Sequence, residues 1–195
     1  MKSITMLWLR RFGLTVGILA AAAAAGGWAG YLRLTGNFRP IEPGVIYRSG
    51  QLSGPQFADR IEENGIRTII NLRGDNTGQP WYEAEVKASK AAGVYHVDFP
   101  LSAGRELTDD QVTHLTGLLR DSPRPVLIHC EAGADRSGVA SALYKLLVAK
   151  RPTQEASEQL SFRYGHFPWL TSRTAAMDRT FDRVASRPNL SQAAD

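Results

Sequence analysis

Residues 129 to 138 read His-Cys-Glu-Ala-Gly-Ala-Asp-Arg-Ser-Gly and contain Cys130, the single cysteine of the 195-residue chain. The apolar run Val126-Leu127-Ile128 precedes them and a helical pattern follows from Arg136. The cysteine is therefore expected at the end of a strand, in a glycine-containing loop that opens a helix. That is a place to bind a phosphate ester and attack it. A free thiol ionises near pH ~8.5, and a helix amino terminus and a fixed arginine both favour its thiolate. Five residues separate Cys130 from Arg136. That is enough for the backbone N–H groups of Glu131, Ala132, Gly133, Ala134, Asp135 and Arg136 to curl round one anion. Gly133 permits a backbone conformation that other residues resist. Arg136 offers a planar fork to two phosphate oxygens and to the charge that grows in the transition state. Ser137 can donate a hydrogen bond to the sulfur as the thiolate leaves. His129 is expected to order the loop through its ring nitrogens rather than to act as a base.

The rest of the composition narrows the chemistry. One cysteine excludes an intramolecular disulfide and a multi-cysteine metal site. His96, His114, His129 and His166 have no metal-ligand spacing, so neither a metal nor another cofactor is expected. A net charge of +4, with scattered arginines and no aromatic-interleaved basic stripe, gives no reason to expect a nucleic acid partner. An ordinary buried thiol is the competing reading of Cys130. It leaves His129, Gly133, Arg136 and Ser137, in frame behind an apolar strand, without explanation.

Strands and helices must position this loop. Val45-Ile46-Tyr47 reads as a short edge strand. Ser53 caps a helix with Pro55 in its first turn, which stops at Asn64-Gly65. Thr68–Leu72 is a β-branched run and reads as a buried strand. Arg73 to Pro80 is a loop, Trp81–Ala92 a helix and Val94–Phe99 a strand. Thr108–Arg120 has Val112, Leu115 and Leu119 at helical spacing, with Thr108 and Gln111 as a capping box. Val126–His129 is a strand and Arg136–Lys150 a helix. Helices over Thr153–Tyr164 and Ser172–Ser186 follow. The alternation predicts an α/β fold: a mainly parallel central sheet of four to five strands with helices on both faces. Ligands in such sheets bind at the carboxyl ends of strands, where Cys130 lies.

The amino-terminal segment is different in kind. Phe12 to Leu32 carries no charge, and as a helix it would span about 32 Å, close to the hydrocarbon thickness of a bilayer. Lys2, Arg10 and Arg11 precede it, as the positive-inside rule expects of a cytoplasmic start. Residues 1–32 are read as a membrane anchor or as a signal peptide with small residues at Ala23-Ala24-Ala25. Both readings place the remainder outside a bacterial-type cytoplasm, held at the inner membrane through residues 12–32 or exported to the periplasm. Residues 33–44, with Gly36, Pro40, Pro43 and Gly44, form a linker. Residues 45–186 form the catalytic domain and residues 187–195 a polar tail.

The motif His-Cys, five residues, Arg-Ser resembles that of the cysteine-dependent protein tyrosine and dual-specificity phosphatases. Tyr47-Arg48-Ser49-Gly50-Gln51 is similar to the early segment of compact bacterial and fungal members. Ile69-Ile70-Asn71-Leu72-Arg73 resembles their following strand and loop, and Phe99-Pro100-Leu101 their approach to the general-acid loop. The resemblance covers most of residues 44 to 165. It implies a two-step hydrolysis of phosphate monoesters through a phosphocysteine intermediate, without a metal, acting on a phosphorylated protein or a small phosphate ester. A rhodanese-like sulfur carrier is disfavoured by Arg136-Ser137-Gly138 at the family spacing. An arsenate reductase is disfavoured by the lack of a resolving cysteine.

The resemblance also implies an aspartic acid that protonates the leaving oxygen, a few residues after Pro100. Ser102, Ala103 and Gly104 stand there instead. Glu106 is the nearest acid and the first choice; Asp98 and Asp135 are the others. Asp109 and Asp110 read as first-turn helix residues. Glu131 supplies no lysine to the loop, yet some inositol-phosphate phosphatases resemble this loop with a glutamate there. An inositol-phosphate phosphatase therefore stands beside the protein phosphatase reading. A catalytically weak phosphate-binding module stands as the alternative of another class. Arg48, Arg73, Arg105 and Arg163 either border the site or are solvated surface arginines.

Overall fold

In a computed structural model that describes residues 2–169 and 172–187, the chain divides into two compact units, residues 1–35 and 36–195. The first consists of one helix, α1 (Lys2–Leu34). Its segment Gly13–Leu34 is long and apolar enough to cross a membrane, with a mean hydropathy of 1.4.

The second unit is built on five strands: β1 (Arg39–Glu42), β2 (Ile46–Ser49), β3 (Thr68–Asn71), β4 (Tyr95–Asp98) and β5 (Val126–His129). Their order in the sheet is β1-β2-β5-β3-β4. Only β1 runs antiparallel, against β2; the other pairs are parallel. The connecting helices are α2 (Gly54–Asn64), α3 (Pro80–Ala91), α4 (Asp109–Asp121) and α5 (Asp135–Leu143), followed by α6 (Thr153–Ser157) and α7 (Ala175–Ala185). The expected mainly parallel α/β sheet is present.

The three central strands, β2, β5 and β3, are buried because both faces are covered. Period-two alternation divides β5 between two cores. Val126 and Ile128 pack with Ile46, Ile70 and the apolar faces of α4, α5 and α7, through Leu115, Leu119, Val139, Met177 and Phe181. Leu127 points the other way, with Tyr47 and Ile69, onto Phe57 and Ile61 of α2. Burying each such side chain stabilises the fold by about 1.5–3 kcal/mol.

Helix ends follow local rules. Ser53 and Thr108 are N-caps with complete capping boxes to Gln56 and Gln111. Gly65 closes α2 in the left-handed region, with φ 60°.

Several elements differ from expectation. The segment read as a linker contains β1, which pairs with β2 through a bulge between Pro40 and Glu42. The strand around Tyr47 is therefore interior to the sheet, between β1 and β5. The helix expected over Arg136–Lys150 starts one residue earlier and becomes a π-helical turn over Tyr144–Val148. The helix expected over Thr153–Tyr164 is broken into α6 and a 3-10 turn at Phe162–Tyr164. The last helix occupies Ala175–Ala185, inside the expected span. The expected polar tail lies outside the described residues beyond Arg187.

Candidate active site

β5 is the strand that connects this topology to chemistry. It lies between β2 and β3, and the three end together: Ser49, His129 and Asn71 are in register. Cys130, buried to 2% exposure, is the next residue, with Gly50 and Leu72 on either side in sequence register. The chain leaves β2 for β3 on the far side of β5 and returns to the centre through α4. This reversal is where open α/β sheets form ligand crevices.

From Cys130 the chain turns into α5, and the turn is shaped by what its carbonyl groups bond to. Glu131 O accepts from the Gln51 N–H at 2.9 Å. Asn37 Nδ2 donates to Ala132 O at 3.1 Å and Gly133 O at 3.2 Å, and also to Tyr164 O at 2.8 Å. Arg48 Nη2 donates to Gly133 O at 2.8 Å and Ala134 O at 3.0 Å. Because C=O and N–H point to opposite sides of a trans peptide bond, pinning the carbonyls of residues 131–134 outward turns the amides of residues 132–135 inward. A ring of N–H groups at the start of a helix is an anion cradle. Gly133 makes the turn possible: its φ is +70°, and a Cβ there would come within 2.5 Å of Gly50 N and 2.7 Å of Ser49 C.

Arg136 lies at the mouth of the turn. Its Nη1 reaches Leu72 O at 3.5 Å, and its Nη2 is 3.9 Å from the Glu131 carboxylate, which is 73% exposed. Ser137 is fully buried, and its hydroxyl donates to Ser49 O at 3.3 Å rather than to the sulfur, as had been expected. The same carbonyl takes the Cys130 N–H at 3.4 Å.

His129 is fully buried and is bonded to α3. Its Nε2 is 2.7 Å from Glu85 Oε1, and His96 Nε2 meets the same oxygen at 2.8 Å. Gln51 Nε2 donates to Glu85 Oε2 at 2.9 Å. Burial alone would push the Glu85 carboxyl up, but the hydrogen bonds from His129, His96 and Gln51 outweigh it and hold the group at about 2.

Sequence reasoning left Arg48 on the rim or on the solvated surface; the structure places it at 0% exposure beneath the turn. Its Nη1 donates to Gln159 O at 2.8 Å and Gln159 Oε1 at 3.1 Å, and its guanidinium lies 4.1 Å from the Tyr164 ring centroid. Burial pushes its pKa down to about 10, against the charges of Tyr164, Cys130 and Asp135.

The acid candidates are dispersed. Asp98 Oδ1 accepts from Asn71 Nδ2 at 2.8 Å and its Oδ2 from the Tyr82 hydroxyl at 2.5 Å. Asp135 braces the loop: it is 2.7 Å from His166 Nδ1, whose Nε2 is 2.9 Å from Asp178 of α7. Burial lowers the His166 pKa, and the two carboxylates more than reverse this, to about 9. Glu106 lies in the loop after β4 and faces α7, with Oε1 2.6 Å from Arg179 Nε and Oε2 3.9 Å from Arg183 Nε. Asp109 is paired with Arg183 and Arg187. Arg105 and Arg163 are exposed.

Asn37, Glu85 and His166 were not recognised from sequence. The one signal near these supports was the Tyr47–Gln51 segment, whose family resemblance gave no role to Arg48 or Gln51.

A model of the family described as "DSP-PTPase phosphatase fused to NAD+ Kinase" matches residues 42–178. The dual specificity protein phosphatase TpbA of Pseudomonas aeruginosa is 26% identical over 142 residues, 72% of this chain and 60% of that protein. The chain thus matches less than two thirds of the length of this curated relative. A crystal structure of P. aeruginosa TpbA superposes with a TM-score of 0.62 and 22% identity, covering 81% of this chain and 90% of that one. TpbA in complex with pTyr gives a TM-score of 0.57 at 18% identity, over 80% and 93%. The core catalytic domain of the PP-IP phosphatase SIW14 from S. cerevisiae gives 0.58 at 20% identity, over 79% and 93%. At these identities the structural likenesses establish the fold.

Proposed function

The chain belongs to the DSP-PTPase phosphatase family, and from that membership we propose that it hydrolyses phosphate monoesters through a phosphocysteine intermediate. The carrying observation is the outward pinning of four loop carbonyls around Cys130, which turns the amides of residues 132–135, within the 131–136 loop, toward a phosphate in front of the sulfur. Cys130 attacks phosphorus and the ester oxygen leaves. Arg136 holds two equatorial oxygens and the charge that develops on them. Water then attacks the phosphocysteine, and Ser137 turns its hydroxyl to the departing thiolate. His129 positions Cys130 from below. Glu106 is the proposed proton donor, as the nearest acid after Pro100 and an exposed one, although it is paired with Arg179.

Vanadate-sensitive, metal-independent hydrolysis of an aryl phosphate by the purified chain is expected, with Cys130→Ser inactive; full activity in Cys130→Ser would overturn the reading. In Glu106→Gln the step for poor leaving groups should slow. A pH–rate profile identical to that of the parent removes Glu106 from the role.

A second reading rests on the Glu106–Arg179 pair at 2.6 Å. A donor held there makes the chain a phosphate-binding module that recruits phosphorylated partners, and the same assay decides by showing ester binding without turnover. The complex of TpbA with pTyr supports a phosphorylated protein as substrate here. The likeness to a PP-IP phosphatase supports an inositol phosphate. We further propose that α1 anchors the phosphatase unit outside a bacterial-type cytoplasm, on the strength of Gly13–Leu34 and the preceding cations. Protection of the unit from protease added to spheroplasts would contradict this.

A further inference from the structure

Arg73 is the second residue after β3, and its surroundings hold its guanidinium beside the phosphate loop. Nη1 donates to Gln51 Oε1 at 2.9 Å. Gln51 is itself fastened to the loop, its N–H to Glu131 O at 2.9 Å and its Nε2 to the buried Glu85 carboxylate at 2.9 Å. The guanidinium carbon lies 3.6 Å from the Trp81 ring centroid. The carbonyl of the preceding residue, Leu72, is the one that Arg136 reaches. Two arginines thus approach one loop, Arg136 from its own α5 and Arg73 from the end of β3. The ionisable groups that act on Arg73 are Glu131, Arg136, Cys130 and Glu85, three of them in the loop.

The partners recorded for Arg73 are neutral: an amide oxygen and an indole face. A guanidinium held by a stacking ring and one hydrogen bond to an amide is fixed in place without a carboxylate in direct contact. Nothing in the packing of the sheet calls for such a cation at the mouth of an anion site. Glu131, a carboxylate that acts on Arg73, is 73% exposed.

We propose that Arg73 forms a second anion subsite beside the phosphate loop, selecting small substrates that carry a second phosphate adjacent to the one hydrolysed. The proposal rests on the phosphatase reading for the first phosphate only. Arg136 and the loop amides take the scissile group; Arg73 takes its neighbour through charge-assisted hydrogen bonds.

The test is a binding measurement that does not depend on turnover. The full chain carrying Cys130→Ser, in detergent, is titrated calorimetrically with phenyl phosphate and with 1,2-phenylene bisphosphate, alone and with Arg73→Gln added. The bisphosphate is expected to bind the Cys130→Ser chain more tightly. Arg73→Gln should weaken it about tenfold while changing phenyl phosphate binding much less. Arg73→Lys, which keeps the charge and loses the fork, should fall between. Trp81→Leu, which removes the stacking face, should weaken the bisphosphate in the same direction. Equal weakening of both ligands by Arg73→Gln, or no weakening of either, overturns the subsite. A parent chain that hydrolyses neither ester, while the binding preference persists, overturns the phosphatase reading and supports the subsite.

Discussion

Glu85 and His129 are joined at 2.7 Å with neither side chain exposed to solvent. The residue before the cysteine is thereby tied to α3, on the opposite side of the sheet from α5. A carboxylate in that position is tolerable only while its hydrogen-bond donors remain.

Removal of this carboxylate should be costly. Glu85→Ala leaves two histidine rings and the Gln51 amide without their common acceptor, and a loss of about 3–5 kcal/mol in denaturant unfolding is expected. The carboxyl is held at about 2, below its ordinary value of 4.5. Its contribution is therefore fully present above pH 4.5 and disappears as pH falls toward 2. Unfolding midpoints measured from pH 6 to pH 2 should drop steeply for the parent and less for Glu85→Gln. Parallel curves would contradict this.

His166 gives stability with the opposite sign. Its pKa is raised from 6.5 to about 9 by Asp135 and Asp178. The protonated ring thus holds the phosphate loop to α7 fully below pH 6.5, and the contribution is lost as pH rises through 9. The parent should lose thermal stability between pH 7 and pH 10. His166→Gln should start lower and change little over that interval; an equal alkaline decline in the variant would rule out the pair as its cause.

Arg48→Met should separate the loop from its support. Four hydrogen bonds to Gln159, Gly133 and Ala134 are lost, which leaves Gly133 O to Asn37 and Ala134 O to the Gly138 N–H. A destabilisation of about 3–5 kcal/mol is expected, with kcat/KM on an aryl phosphate down at least about a hundredfold. Urea unfolding and steady-state kinetics on the same preparation check both, and a stable variant with parental kcat/KM would show that Arg48 does not shape the cradle.

What the sequence revealed was local. The strand Val126–His129, the caps at Ser53 and Thr108 and the loop from Cys130 to Arg136 depend on neighbours a few residues away, and all four are where their patterns place them. The supports of the loop escaped notice because their partners are distant in sequence. Asn37 reaches Ala132, Arg48 reaches Gln159, and Glu85 reaches His129. Each is a polar residue in a segment that reads as surface or linker, and only the closed sheet shows that it is buried. β1 was hidden for a related reason: Pro40 and a four-residue length are turn-like until β2 is there to pair with. The break after Leu143 has no sequence signal that we can name.

Asn37 also sets a narrow margin for processing. It follows the last residue of α1 by three positions, and its amide holds two carbonyls of the loop that carries Cys130. A protease that trims the chain at Ala23–Ala25 removes most of the apolar helix and leaves this fastening intact. A cut a dozen residues later, just past Asn37, would release an otherwise complete sheet whose phosphate loop had lost one of its three outward ties. The two cut positions lie about a dozen residues apart.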